Sequence, residues 1–228
     1  MHVEIWSDIA CPWCYVGKRR FEAALERFEQ REDVQVTWRS FELDPSAPPD
    51  RGVDSTTHLA EKYGVGREEA VAMHARMAET AAAEGLEFRF DRTRGGNTFD
   101  AHRVLHLAAE HDLQDAMKER IMRAYLTEGE LISDHTVLER LAGEVGLAAG
   151  EARDVLASKR YAAEVREDER VAAGLGIHAV PFFVVDRALG ASGAQPPAVL
   201  LDLLRRALPA EQPVDVVAEG SSCGPDGC

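Results

Sequence analysis

The chain has 228 residues, 45% of them apolar and 29% charged, with a formal net charge of −14. That length can bury a substantial core, and the acidic balance argues against a dedicated binder of nucleic acid or anionic membrane. No Lys/Arg-rich start runs into a long apolar stretch, so neither a secretory signal nor a membrane span is expected. With four cysteines rather than a dense framework, the expected location is the cytoplasm.

Val3-Glu4-Ile5-Trp6 alternates and predicts a strand over residues 2–7, leading into Cys11-Pro12-Trp13-Cys14. A helix is expected over 12–30, with Val16, Phe21, Leu25 and Phe28 inward and Lys18, Arg19, Arg20 and Arg27 in solvent. Residues 34–39 alternate again, and strand, helix and strand in this order suggest a parallel βαβ unit. Pro45, Pro48 and Pro49 break the pattern.

Helical segments then follow at 56–63, 68–84, 97–111, 113–127, 134–145, 151–156 and 159–173. Ala70, Met73, Met77 and Ala81 form one inward stripe, and Asp134 and Gly146 bracket the fifth segment as cap and stop. An apolar strand at 182–185, a turn at Asp186-Arg187 and an antiparallel edge strand at 188–191 come next. Pro196-Pro197 opens a last helix, with Leu200, Leu203, Leu204 and Ala207 inward. Residues 209–228 have little to bury and read as a mobile tail. The expected architecture is α/β. A thioredoxin-like domain (1–50 and 174–208) is split by an all-helical insertion domain (51–173).

Two cysteines three apart where a strand meets a helix can close and reopen a disulfide. At a helix N-terminus the free backbone N–H groups and the dipole favour an anion, so the Cys11 thiol should fall below about 8.5. Pro12 suits the first turn. Trp13 should be exposed, and Cys14, one turn deeper, covered. Cys11 is then the nucleophile and Cys14 the thiol that resolves a mixed disulfide. Half of a zinc site is the competing reading. It needs about four ligands, and the only other cysteines are Cys223 and Cys228. No metal is expected. The position of the pair and Pro12 argue for exposure and against an inert buried pair.

The stretches Ser7 to Gly17, Asn97 to Arg103, Gly176 to Phe183 and Ser192 to Pro196 together resemble the DsbA-like thioredoxin-fold proteins, most closely their FrnE-type cytoplasmic branch. The resemblance implies a disulfide oxidoreductase or isomerase that acts on protein or small-molecule thiols and disulfides. It matches Pro181 to the cis-proline beside the cysteine pair. In that case Val180 would present its backbone to the sulfurs and to an extended substrate segment. Alternatively, Pro181 simply begins a strand.

The same resemblance places the helix start at Asn97 near the active site, although Asn97 or Thr98 also suits a cap. Pro12, Trp13, Val180 and Asn97 are the candidate substrate contacts. The related 2-hydroxychromene-2-carboxylate isomerases and kappa-class glutathione transferases use glutathione and typically carry Ser where this chain has Cys11. Glutathione therefore stands as a possible co-substrate, and a glutathione-dependent isomerase or transferase on a small aromatic substrate as the alternative function. No resident cofactor is expected.

Some FrnE-type proteins have a C-terminal cysteine pair that exchanges with the first. Cys223 and Cys228 enclose Gly224-Pro225-Asp226-Gly227, which can turn tightly enough to close a disulfide. A flexible tether raises the local concentration of that pair at Cys11, and a structural staple is the plainer reading. His58, His102, His106 and His178 are expected to be satisfied rather than catalytic. Asp8 could raise the Cys11 pKa by like charge or accept a proton.

Overall fold

The computed structural model describes residues 1–208. Its four-stranded sheet has the order β2-β1-β3-β4, from β1 (His2–Ser7), β2 (Gln35–Ser40), β3 (Phe182–Val185) and β4 (Leu189–Ser192). β1 and β2 are parallel, and the other two pairings are antiparallel. The hairpin between β3 and β4 turns through Asp186, Arg187 and Ala188, with Asp186 and Arg187 at positive φ (47° and 53°) and Ala188 N–H bonded to Val185 O at 3.0 Å.

Helix α1 (Pro12–Leu25) joins β1 to β2, and α9 (Pro197–Arg206) follows the hairpin. Between β2 and β3 lie α2 (Ser55–Tyr63), α3 (Arg67–Ala83), α4 (Phe99–Ala109), α5 (Gln114–Arg123), α6 (His135–Glu144), α7 (Ala149–Leu156) and α8 (Ala162–Gly174). The fold is thus a mixed α/β thioredoxin-like core with a large helical region. Local chemistry sets several ends. Asp54 accepts from Thr57 N–H at 3.0 Å and opens α2, which Gly64 closes at φ 65°. Asp134 caps α6 through Thr136 N–H at 2.8 Å.

Four expectations need correction. Helix α1 stops at Leu25 rather than 30, because Phe28 is buried. Tight bonds from Arg27 N to Ala24 O and from Phe28 N to Leu25 O turn the chain back to insert it. Lys18 is not in solvent but 2% exposed. It pairs with Glu22, with Asp115 at 3.1 Å and with Glu119 at 3.2 Å, tying α1 to α5. Helix α8 starts at Ala162, since Tyr161 sits at φ 62° and interrupts it. On α9, Leu201 joins Leu200 and Leu204 in the core, while Leu203 is only partly buried.

Helix α1 is a wall shared by two cores. Phe21 and Ala24 pack with the sheet and α9, among Val3, Ile5, Phe183 and Leu204. Cys14, Tyr15 and Val16 pack with the helical region, among Leu107, Met117, Ile121 and Met122. At the outer edge of β2, the Gln114 side chain accepts from Trp38 N–H and donates to Trp38 O, both at 2.9 Å. It occupies the ladder position of a further strand.

Candidate active site

Asp8 shapes the turn that delivers Cys11. Its carbonyl accepts from Cys11 N–H at 3.3 Å. Its carboxylate accepts from Ala10 N–H at 3.3 Å and from Leu43 N–H at 2.8 Å. Cys11 occupies the N-cap position of α1 with extended backbone, and Pro12 takes the first helical position. Both thiols are free. Trp13 is 47% exposed, but Cys11 is only 6% exposed and Cys14 is fully covered. Cys14 is covered as expected, whereas the exposure expected from the position of the motif is not found at the Cys11 sulfur. Leu43, Asp44 and Ala47 after β2, together with α2 and α3, wall in the cavity onto which Cys11 opens.

The two thiols are driven apart in acidity. A hydrogen bond from Cys14 holds the Cys11 thiol below its ordinary value. The N–H groups of Cys14 and Trp13 add to this, against burial and the Asp8 charge. Burial, the bond to Cys11 and the negative charge there push Cys14 well above its ordinary value. One thiolate at the helix start and one protonated thiol below it form the arrangement that exchange by attack and resolution requires.

The Val180–Pro181 peptide is cis, and the Val180 carbonyl accepts from Cys11 Sγ at 3.7 Å. The Pro181 ring packs so closely on α1 that a Cβ on Gly17 would sit 2.8 Å from Pro181 Cγ. Thr98 holds the N-cap position of α4 without a side-chain cap bond, and Asn97 just before it accepts from Phe99 N–H at 2.8 Å. Its amide also lies 3.4 Å from Glu42 Oε1, and neighbouring Gly96 and Thr98 rather than Asn97 line the cavity. Cys223 and Cys228 lie outside the described residues.

The cavity measures about 980 Å³. Cys11, Pro12 and Trp13 form one wall; Leu59, Met73, Met77, His58 and His74 of α2 and α3 face them, with Tyr125 and Leu126 also lining it. Met73, expected in the core stripe of α3, is half-buried against this space instead. Lys62 and Arg76 also line it. Among the described residues, no three His, Cys, Asp or Glu side chains are grouped to hold a metal.

Under the cysteine pair lies a polar cluster, of which the sequence pointed to Asp8 and His102 but not to Lys118. Asp8, His102 and Lys118 are all buried. His102 Nε2 pairs with Asp8 Oδ1 at 3.4 Å, while Nδ1 has no hydrogen-bond partner among the described residues, so the histidine expected to be satisfied is so on one side of its ring. Burial pushes its pKa down, against Asp8. Burial also raises Asp8, but His102, the Leu43 N–H and Lys118 outweigh it and hold the carboxyl below the usual range. Lys118 is pushed down to about 8 by burial, against the charges of Cys14, Asp8 and Cys11. The signal for Lys118 was its spacing. It sits with Met117, Ile121 and Met122 on one helical stripe.

The DsbA-like thioredoxin domain matches residues 2–205. The chain belongs to that family. This DsbA-like protein is 48% identical to a probable DsbA oxidoreductase of Streptomyces coelicolor, over 100% of this chain and 98% of that one, with a TM-score of 0.88. It is 29% identical to the protein YwbO of Bacillus subtilis, over 81% of this chain and 86% of that protein. The cytosolic disulfide reductase DsbM of Pseudomonas aeruginosa, solved with GSH, shares the fold at 21% identity and a TM-score of 0.64, covering 90% of this chain and 98% of that one. The DsbA-like protein is a thiol–disulfide oxidoreductase working through the Cys11–Cys14 pair.

Proposed function

We propose that Cys11 attacks substrate disulfides as a thiolate and that Cys14 resolves the mixed disulfide. The observation that carries this is the placement of the two thiols, Cys11 at the helix start opening on the cavity and Cys14 one turn deeper and fully covered, which lowers the pKa of the first and raises that of the second. Only Cys11 lines the cavity. An extended substrate segment lies along Val180 and Pro181, with Pro12 and the exposed Trp13 as its other contacts. The work is reduction or isomerisation of protein or small-molecule disulfides in the cytoplasm, where the dithiol form predominates. The cysteine pair at 223 and 228 acts as a tethered exchange partner, in the manner of the FrnE-type branch. Glutathione serves as co-substrate, in keeping with a fold relative solved with GSH.

Incubation of Cys14→Ser, in a full-length chain that also carries Cys223→Ser and Cys228→Ser, with oxidised glutathione or an oxidised protein tests the assignment by intact mass. One adduct, lost in the Cys11→Ser/Cys14→Ser double variant, is expected. An unmodified Cys14→Ser protein would overturn it. Truncation after Ala210 should slow turnover if the distal pair shuttles and leave it unchanged if that pair is a staple.

The cavity supports a second reading, a glutathione-dependent isomerase or transferase on a small aromatic substrate. About 980 Å³ beside a reactive thiol, walled by Met73, Met77, Phe90 and Leu59, is room for one. Isomerisation or conjugation that survives in Cys14→Ser would favour it.

A further inference from the structure

A lysine seldom leaves water without a partner. Lys118 is fully buried, and its ammonium makes one hydrogen bond among the described residues, to Ser7 O at 3.3 Å. The Trp38 ring flanks it at 5.6 Å. The charged and titratable groups that face it come from three elements: Asp8 from the turn after β1, Cys11, Cys14 and Lys18 from α1, and His102 from α4. Met117, Ile121 and Met122 of its own helix share a core with Cys14 and exclude solvent.

A cation in this position does nothing for a protonated thiol and a great deal for a buried thiolate. The thiol that starts the exchange has its own support, from Cys14 and from two backbone N–H groups. Cys14 has no such nest. The groups that favour its ionisation are Lys118 and a backbone contact at Asp8. Asp8 is itself an anion, and His102 is kept neutral by burial. When Cys11 is tied up in a mixed disulfide, its negative charge is gone, and Lys118 is left to work against the burial of Cys14.

We propose that Lys118 is a positioning residue for the second half of the exchange, the buried counter-ion of the Cys14 thiolate. In that step the Cys14 thiol loses its proton, which passes out to solvent and is balanced by the one the leaving sulfur takes up, and the Cys14 sulfur attacks Cys11. The Cys11–Cys14 bond forms as the bond from Cys11 to the substrate sulfur breaks. The electron pair leaves on the substrate sulfur, which takes up a proton and departs as a thiol. Lys118 keeps its protons throughout. The helical insertion thus supplies part of the redox machinery as well as the cavity wall. The inference rests on the reading of Cys14 as the resolving thiol.

Dithiobis(nitrobenzoate), an aromatic disulfide and the oxidant here, separates the two halves. Mixed in stopped flow with the reduced full-length protein carrying Cys223→Ser and Cys228→Ser, which leaves Cys11 and Cys14 as its thiols, it should release one thionitrobenzoate when Cys11 attacks, at a rate proportional to reagent. A second should follow when Cys14 resolves, at a rate independent of reagent. Lys118→Met should slow the second phase about tenfold or more at neutral pH and move its pH midpoint upward, with a smaller effect on the first phase. With Cys11→Ser added to the same Cys223→Ser/Cys228→Ser chain, the ultraviolet thiolate absorbance is that of Cys14 and should titrate at higher pH once Lys118→Met is introduced. Lys118→Gln, which can still donate to Ser7 O, serves in both measurements if the methionine variant does not fold. A second phase with unchanged rate and midpoint overturns the role of Lys118 and leaves Cys14 as resolver. Absence of any second phase in the Cys223→Ser/Cys228→Ser protein with Lys118 intact overturns both.

Discussion

At the scale of single residues, the site is an arrangement of unequal acidities. The hydrogen bond from Cys14 is the largest influence that lowers Cys11, so Cys14→Ala should shift the pH midpoint of Cys11 alkylation upward, toward the ordinary thiol range. The sign for stability follows. A thiol lowered in the folded state stabilises the reduced protein above its unfolded value, and this is lost as pH falls through the folded value. Lys118 has the opposite sense. Its pKa falls from 10.5 to about 8 on burial, so its protonated form costs the fold about 3 kcal/mol below that range, at about 1.4 kcal/mol per pH unit. The unfolded chain binds the extra proton between those two values, so the cost fades as pH rises from 8 to 10.5. Denaturant titrations should therefore find Lys118→Met more stable than wild type at neutral pH, with the gap closing across that window. A gap independent of pH would contradict the burial of a charged lysine.

At the scale of elements, the close packing of α1 on the Pro181 ring fixes where Cys11 meets Val180. Gly17→Ala places a methyl 2.8 Å from Pro181 Cγ, and a proline ring cannot swing aside as a long side chain can. The expected cost is about 1–3 kcal/mol from overpacking, with lower turnover, both readable from denaturant midpoints and reductase assays. Much at this scale was legible in the sequence. Alternation fixed β1 and β2, while Gly64, Asp134 and Asp186-Arg187 punctuated their neighbours through local chemistry that needs no tertiary partner. What failed was set by distant partners. The end of α1 depends on the pocket that receives Phe28. Lys18 and Lys118 carry charges that a local reading assigns to water, and only carboxylates from α5, or thiols from α1, bring them inside.

At the scale of the molecule, the cysteine-bearing helix belongs to two cores at once. Removing residues 51–173 would strip cover from Cys14, Tyr15 and Val16, and the sheet part alone is expected not to fold. The intact chain should unfold in one transition, with far-ultraviolet circular dichroism and Trp fluorescence coincident. Separate transitions would mean that α1 does not couple the two regions. The same coupling explains why the cysteine motif was legible from sequence and its setting was not. The motif is four adjacent residues, whereas the cavity and the buried cluster draw on α2, α3, α4 and α5.

The central claim is that exchange begins at Cys11. The most direct measurement is the rate of insulin reduction by dithiothreitol with wild type and with Cys11→Ser. The wild type should accelerate it, and Cys11→Ser should fall to the uncatalysed rate. A Cys11→Ser protein that matches wild type would contradict the account.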